Sequence, residues 1–354
     1  MSENNNTGKS APGNKKQSLT FRLSNMQRYL HEDMPVEMKE FVDGGKSKSG
    51  YKNLDAVTNL YPGLYVVGAI SSLGKTTFIH QMADQIAEAG QSVLFFSLEQ
   101  STLELASKSL SRIMAKKDAT AALTSLQIRK NGTDPRVKVA VDEYSRYANN
   151  LLIAECTFRA TIDTIEGTVT NYIQKTGKKP VVIVDYLQVI QAPLESRMTA
   201  KDLVDLHVRR LKQLQSENKL VLIVISSLNR QNYLTQIDYE SFKESGGIEY
   251  TADVVWGLQL EALHDDIFDR QAKINEKRQK VKEAKAANPR RIELVCLKNR
   301  FGISSYSCMF DYYPQFDYFC PVMDNIDDTI LTGNVDQDGF ITIPNGYGSP
   351  FDIC

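Results

Sequence analysis

The sequence predicts an α/β protein with a mostly parallel central sheet flanked by helices and an antiparallel extension toward the C-terminus. Three observations predict it. Short apolar runs alternate with helical patterns from residue 51 to about 227. A phosphate-loop signature lies between one of those runs and the helix after it. After residue 290 the pattern changes to strand-like alternation.

In chain order, residues 1–20 are rich in Asn, Ser, Gly and Lys and are expected to be a disordered tail. Residues 21–49 read as a linker with one short amphipathic helix. Asp33 is placed at its N-cap, with apolar Met34, Val36, Met38, Phe41 and Val42 ahead of a Gly-Gly stop. That apolar face needs a partner, and "KSKSG" then reads as a flexible joint. Residues 50–320 form the α/β domain, with strands at "LYVVG", "SVLFFSLE", "NLLIAE", "PVVIVDYLQVI" and "LVLIVISS". The basic run "DRQAKINEKRQKVKEAKAANPRR" is helical until about Pro289. A solvated surface helix is the preferred reading of such a run, and a phosphate-contacting arm is the other. "RIELVCLKNRFGISSYSCMFDYYPQFDYF" alternates like two or three antiparallel strands. Residues 321–354 form an acidic, turn-rich tail. Within it "NVDQDGFITIPN" copies part of a calcium loop, but Asn345 stands where a bidentate Glu is needed, so it reads as a turn.

Composition excludes several classes. The 42 Lys and Arg against 43 Asp and Glu give a net charge of −1, so any nucleic-acid contact must be local. No stretch has the apolar length of a membrane span, and the polar start lacks a signal-peptide core. Cys156, Cys296, Cys308, Cys320 and Cys354 are scattered without metal spacing and read as incidental thiols of a cytoplasmic protein.

The chemistry begins at "AISSLGKTT", residues 69–77. A P-loop is a glycine, four residues, then Gly-Lys-Ser/Thr; counting back from Gly74 lands on Ala69, with Gly68 one step early. The rest fits, with an apolar strand before and a helix after that stops at Gly90. Backbone N–H groups of Ser72, Leu73, Gly74, Lys75 and Thr76, with Thr77 beside them, would cradle phosphates at a helix N-terminus. Lys75 would bridge the β- and γ-phosphates of ATP, and the Thr76 hydroxyl would ligate Mg²⁺. Hydrolysis needs a second carboxylate on the metal and a group to orient water. Asp185 ends the apolar run "VVIVD" and supplies the first; Glu99, ending "VLFFSLE", is the candidate general base.

These segments resemble the DnaB-type replicative helicases, hexameric motors with a RecA-like ATPase domain, over residues 50–319. "AISSLGKTT" is similar to that family's first motif, which often carries Ala where other P-loops have Gly. "FFSLEQ" resembles "FSLEM", whose Glu is the catalytic base, and "VDYLQ" resembles the segment that implies Asp185 and Gln188. "LKNRFG" resembles "KQRNG", which implies Lys298 and Arg300 reaching into a neighbouring subunit's ATP site. "SSLNR" resembles "SQLNR", and "FKESGGIEYTAD" resembles "LRESGSIEQDAD", which lines a central channel. Lys243, Glu244 and Gly246 are thereby implied as contacts to single-stranded DNA. The resemblance implies a RecA-like P-loop NTPase using ATP and Mg²⁺, a homo-hexamer, and a helicase loader or primase as further partner. Three departures accompany it. The family's primase-recruiting N-terminal domain has no counterpart, Ser227 stands for the Gln of "SQLNR", and the basic insert at 266–288 matches nothing in the pattern. Two function classes follow: a ring-forming motor that unwinds DNA, or a RecA-like ATPase that loads or regulates without unwinding.

Overall fold

The computed structural model describes residues 25–44, 47–156, 160–192, 198–229, 233–242, 246–269, 273–323, 334–335 and 341–342. It divides into two compact units, Met1–Asp43 and Gly44–Cys354.

The first unit is a continuous helical stretch. α1 (Met26–Arg28) runs through a π-helical segment, Tyr29–Asp33, into α2 (Met34–Gly44). Asp33 is therefore inside the helix and not its N-cap. Asn25 takes that place, its side-chain oxygen accepting from Arg28 N at 3.2 Å, which satisfies one of the orphan donors of the first turn. Met26, Leu30, Val36, Met38, Phe41 and Val42 are all exposed along this stretch.

The second unit begins with α3 (Lys52–Val57) and β1 (Gly63–Ala69), followed by α4 (Lys75–Glu88) and β2 (Val93–Ser97). Three helices come next: α5 (Thr102–Lys117), α6 (Ser125–Lys130) and α7 (Pro135–Tyr144). They build a small satellite core of Leu110, Met114, Ile128, Val137 and Ala140. β3 (Leu151–Glu155), α8 (Ile162–Thr176), β4 (Val181–Asp185), α9 (Ala200–Asn218) and β5 (Val221–Ser227) continue the alternation. After α10 (Gly246–Thr251) comes β6 (Val254–Leu260), a fully buried strand that the sequence reading passed over. The basic insert forms two helices, α11 (Asp266–Asp269) and α12 (Ile274–Ala286). β7 (Arg290–Asn299), β8 (Ser307–Tyr313) and β9 (Tyr318–Pro321) complete the domain. β10 (Asn334–Val335) and β11 (Ile341–Thr342) pair antiparallel within the calcium-loop look-alike, whose residues 336–340 lie outside the described residues.

The nine strands form one sheet in the order β3-β2-β4-β5-β1-β6-β7-β8-β9. The first six are mutually parallel and β7 to β9 antiparallel. Six parallel strands explain the near-continuous Val/Ile/Leu runs: both faces are covered, so alternation is absent. Trp256 on β6 shows how tightly the centre packs. Its ring lies 5.2 Å from Tyr65 and its Nε1 donates to Tyr306 Oη at 2.9 Å. Tyr51, Phe78, Phe310 and Phe319 interlock beneath α4, with Tyr51 stacked on Phe78 at 4.6 Å, and so fix the helix that starts at Lys75. No helix of the described residues is long and apolar enough to cross a membrane.

Candidate nucleotide site

Parallel strands carry all their C-terminal ends to one edge, and the site forms there. Ala69 is the last residue of β1, fully buried in a strand conformation, so the position takes a methyl without strain. Gly68 has a packing role instead: a Cβ there would come within 2.5 Å of the Phe242 ring. The left-handed turns needed by the loop fall at Ser72 (φ 69°) and Gly74 (φ 87°). Residues with a side chain rarely adopt such angles, and a Cβ on Gly74 would also meet Tyr312 at 2.9 Å. α4 begins at Lys75 with no side-chain cap, which leaves its first N–H groups open to an anion. Leu73 is buried in the core and offers the loop only its backbone. Thr77 departs from expectation. Its hydroxyl bonds Asp317 Oδ1 (3.3 Å) and Lys108 Nζ (3.2 Å), so it is turned into a buried network and off the loop.

Three neighbouring strand ends carry the remaining groups. Lys75 Nζ donates to Ser227 Oγ at the end of β5 (3.3 Å) and lies 5.7 Å over the Tyr186 ring. Burial pulls its pKa down, and Asp185 pulls it back up. Asp185 ends β4 at 1% exposure, and its Oδ2 finds no hydrogen-bond partner among the described residues. Desolvation pushes this carboxyl up to about 6, against the lowering effect of the Thr76 hydroxyl. An orphaned buried carboxylate oxygen beside a threonine hydroxyl is the donor set a Mg²⁺ ion would satisfy. Mg²⁺ keeps most of its waters and needs few protein ligands.

Glu99 sits two residues beyond the end of β2, off the strand on which the sequence placed it, and is exposed. Ser97 pairs with Asp185 in the β2–β4 register, so Glu99 follows directly alongside the Asp185 strand end, and its charge is felt by both Lys75 and Asp185. Gln188 lies just past β4; its Nε2 donates to Ser226 Oγ (2.9 Å) and its Oε1 accepts from Ser227 N (3.2 Å), which locks the β4 and β5 ends together.

Two further side chains reach the loop that the sequence did not assign to it. Lys285 of α12 donates to Ser71 O at 3.2 Å, and Arg290, which opens β7, donates to Ser72 O at 2.8 Å. Their only signal in the sequence was membership of the basic run, so the preferred solvated-helix reading of that run fails at its C-terminal end.

Lys298 and Arg300 are not at this edge. Arg300 N donates to Asp253 O (3.0 Å) and its Nη1 to Asp253 Oδ1 (3.1 Å), while Asp253 Oδ2 accepts from Leu64 N (2.8 Å) and Lys212 Nζ (2.5 Å). Leu64 is the second residue of β1, which runs from Gly63 to Ala69, so Arg300 is about a strand's length away from the loop, about 20 Å for the seven residues. Lys298 Nζ donates to Glu249 O at 2.5 Å at the same edge. Arg300 nonetheless keeps 51% of its side chain exposed. Of the implied DNA contacts, Lys243 and Glu244 lie outside the described residues. Gly246 opens α10, and the adjacent Gly247 N donates to Asp205 Oδ1 at 3.0 Å.

The family described as DnaB-like helicase C terminal domain matches residues 47–319, more than half of the chain. The chain belongs to this family. The replicative DNA helicase DnaB of Mycoplasma genitalium is 28% identical over 303 residues, covering 80% of this chain and 60% of the relative. That of Haemophilus influenzae is 27% identical over 224 residues, covering 62% and 47%. The chain thus spans about half the length of the curated relatives it matches. In fold it is similar to a solved structure described as an ATPase domain, with a TM-score of 0.65 at 20% identity over 85% of this chain and all of the other. It is also similar to a DnaB-like replicative helicase whose structure is described with its interactions with primase. There the TM-score is 0.64 at 20% identity, over 86% of this chain and 68% of the other. The mixed sheet with its antiparallel extension is the RecA-like ATPase architecture of this DnaB-like family.

Proposed function

We propose that the chain is the ATP-hydrolysing motor of a ring-forming DNA helicase that translocates on single-stranded DNA. The observation that carries this is the division of charged groups between two edges of one sheet. The phosphate loop, Lys75, Asp185 and Glu99 share one edge, whereas Lys298 and the half-exposed Arg300 stand about 20 Å away at the other. Paired with Asp253 yet half exposed at the edge opposite its own pocket, Arg300 is placed to serve a neighbour's, and head-to-tail contacts that close make a ring.

In this reading the N–H groups of Ser72 to Thr76 and the Lys75 ammonium hold the phosphates of ATP. Thr76 and Asp185 would hold Mg²⁺, which supplies charge neutralisation on the phosphate oxygens. Glu99, exposed beside Asp185, orients water and takes its proton. Arg300 and Lys298 stabilise charge developing in the adjacent subunit's pocket. The exposed apolar stretch from Met26 to Val42 docks on the next subunit, and a hexamer would place Lys243 and Gly246 toward a central strand of DNA. A loader or primase remains the proposed further partner.

One observation favours the second reading, an ATPase that does not unwind. Ser227 stands where the resemblance expects a longer Gln, and its hydroxyl is already engaged by Lys75 at 3.3 Å. The test is a mixing experiment. Lys75→Ala and Arg300→Ala subunits, each inactive alone, should recover ATPase activity together, because an Arg300→Ala pocket can receive a finger from a Lys75→Ala neighbour. Mixtures that stay inactive while both variants are folded would remove the ring. Restored ATPase activity with no strand separation on a forked DNA would select the second reading.

A further inference from the structure

The helix α12 ends on the phosphate loop of its own chain. Lys285 Nζ lies 3.2 Å from the carbonyl of Ser71, and Arg290 Nη1 lies 2.8 Å from that of Ser72. These are consecutive carbonyls, one on each side of the Ser72 Cα, and Ser72 has a left-handed φ of 69°, an angle uncommon for a residue with a side chain. A turn of this kind directs its N–H groups toward the concave side as an anion nest, and its carbonyls outward. Two cations on the outward carbonyls hold that arrangement from outside the nest.

The two side chains are themselves fixed. Arg290 lies 5.8 Å over the ring of Tyr312, which is stacked on Phe319 at 4.1 Å. Its Nε, shielded from solvent, has no hydrogen-bond partner among the described residues, so the guanidinium is held by packing and by Ser72. Lys285 lies 5.6 Å over the Tyr233 ring, and the Tyr233 hydroxyl is 3.2 Å from Ser71 Oγ. Phosphate loop, inserted helix and the segment after β5 therefore meet at Ser71.

We propose that Lys285 and Arg290 are positioning residues for the phosphates of the bound nucleotide, acting through the carbonyls of Ser71 and Ser72. The end of the inserted helix α12 and the start of β7 then preshape the phosphate loop of their own chain. This rests on the reading of that loop as a nucleotide site.

The test compares the parent chain with Lys285→Ala, Arg290→Ala, the double variant, and the conservative Lys285→Arg and Arg290→Lys. Calorimetric titrations with ATP and with inorganic pyrophosphate, each with Mg²⁺, are set beside steady-state ATPase kinetics. The double variant should bind ATP and pyrophosphate more weakly by a common factor on the order of tenfold, the loss of charge-assisted hydrogen bonds to the loop. The defect should fall on KM more than on kcat, and the conservative variants should recover most of the affinity. A folded double variant with parental affinity overturns the proposal. So does weakened ATP binding with unchanged pyrophosphate binding, which would put the side chains on base or sugar. Should the double variant not fold, Lys285→Ala, at a half-buried position in the last turn of α12, gives the same reading on its own. A parent chain that binds no ATP, or a Lys75→Ala variant that binds it as well as the parent, would instead be a failure of the nucleotide-site reading.

Discussion

Replacing Asp185 by Asn should make the metal-free protein more stable while disabling its site. Asp185 is 1% exposed, and one of its carboxylate oxygens has no partner among the described residues. Burial raises its pKa from 3.8 to about 6. The group's contribution to stability is fully present below pH 3.8, where both states are protonated, and is lost as pH rises toward 6. Above pH 6 the folded state carries the whole cost of a buried charge. At 1.36 kcal/mol per pKa unit that cost is about 3 kcal/mol. Asn keeps the shape and removes the charge, but leaves an amide with incomplete partners at about 1–2 kcal/mol, so the net gain should be about 1–2 kcal/mol at pH 7.5. Urea denaturation with EDTA at pH 7.5 and at pH 4 measures it. The variant should be the more stable at pH 7.5, and at pH 4, where the charge cost is nearly gone and the amide cost stays, no more stable than the parent. Adding Mg²⁺ and ATP should raise the midpoint of the parent more than that of the variant, which keeps Lys75 and the loop but loses a metal ligand. An Asn variant destabilised equally at both pH values would refute the reasoning, because it would mean that internal donors already compensate the Asp185 charge.

Other expectations concern single side chains. Glu99→Gln should bind ATP like the parent and turn it over at least about a hundredfold more slowly, measured by single-turnover hydrolysis; near-parental rates would remove it as the base. Gly74→Ala faces both a φ of 87° and Tyr312 at 2.9 Å, and should lose nucleotide binding in a calorimetric titration while the domain stays folded by circular dichroism. Arg112 forms a buried ion pair with Asp84 and donates to Asp317 O at 2.7 Å, so Arg112→Ala should cost about 3–5 kcal/mol in chemical denaturation. Removing residues 1–47 should leave a folded monomer that no longer assembles with ATP, and unchanged size by light scattering would contradict the docking role of the Met26–Val42 stretch.

The parallel half of the fold was legible because burial on both faces writes uninterrupted apolar runs, as in "LYVVG" and "VVIVD". β6 was not, although it is fully buried: Gly257 and Gln259 interrupt "VVWGLQL", and their reasons are three-dimensional. A Cβ on Gly257 would clash with the Ile237 side chain, and Gln259 answers Glu293 across the sheet at 2.7 Å. In the site, Lys75 and Asp185 were readable from local spacing alone. Lys285 and Arg290 were not, because a basic run looks the same whether its last turn faces water or a carbonyl. The helix start was misplaced at Asp33 because an acidic residue before an apolar stretch is a common cap, whereas the cap is Asn25, upstream of a stretch with no such pattern. Arg300 was identified by resemblance, and its position at the far edge needed the sheet order, which no local pattern contains.

β7 has a length with mechanical meaning. Arg290 at its first residue touches the phosphate loop, four residues past the level of Ala69 in the register, and Lys298 and Arg300 lie eight and ten residues on, about 26 and 33 Å along. It is bonded on both sides, to β6 and to β8, with one register shift near Val255. Such a strand behaves as a pushrod, stiff along its axis and unable to shorten. In a closed ring of these chains, the base of each rod would rest on one fuel pocket and its tip in the next. In such a ring, a displacement of one phosphate loop would be passed along its strand to the adjacent pocket.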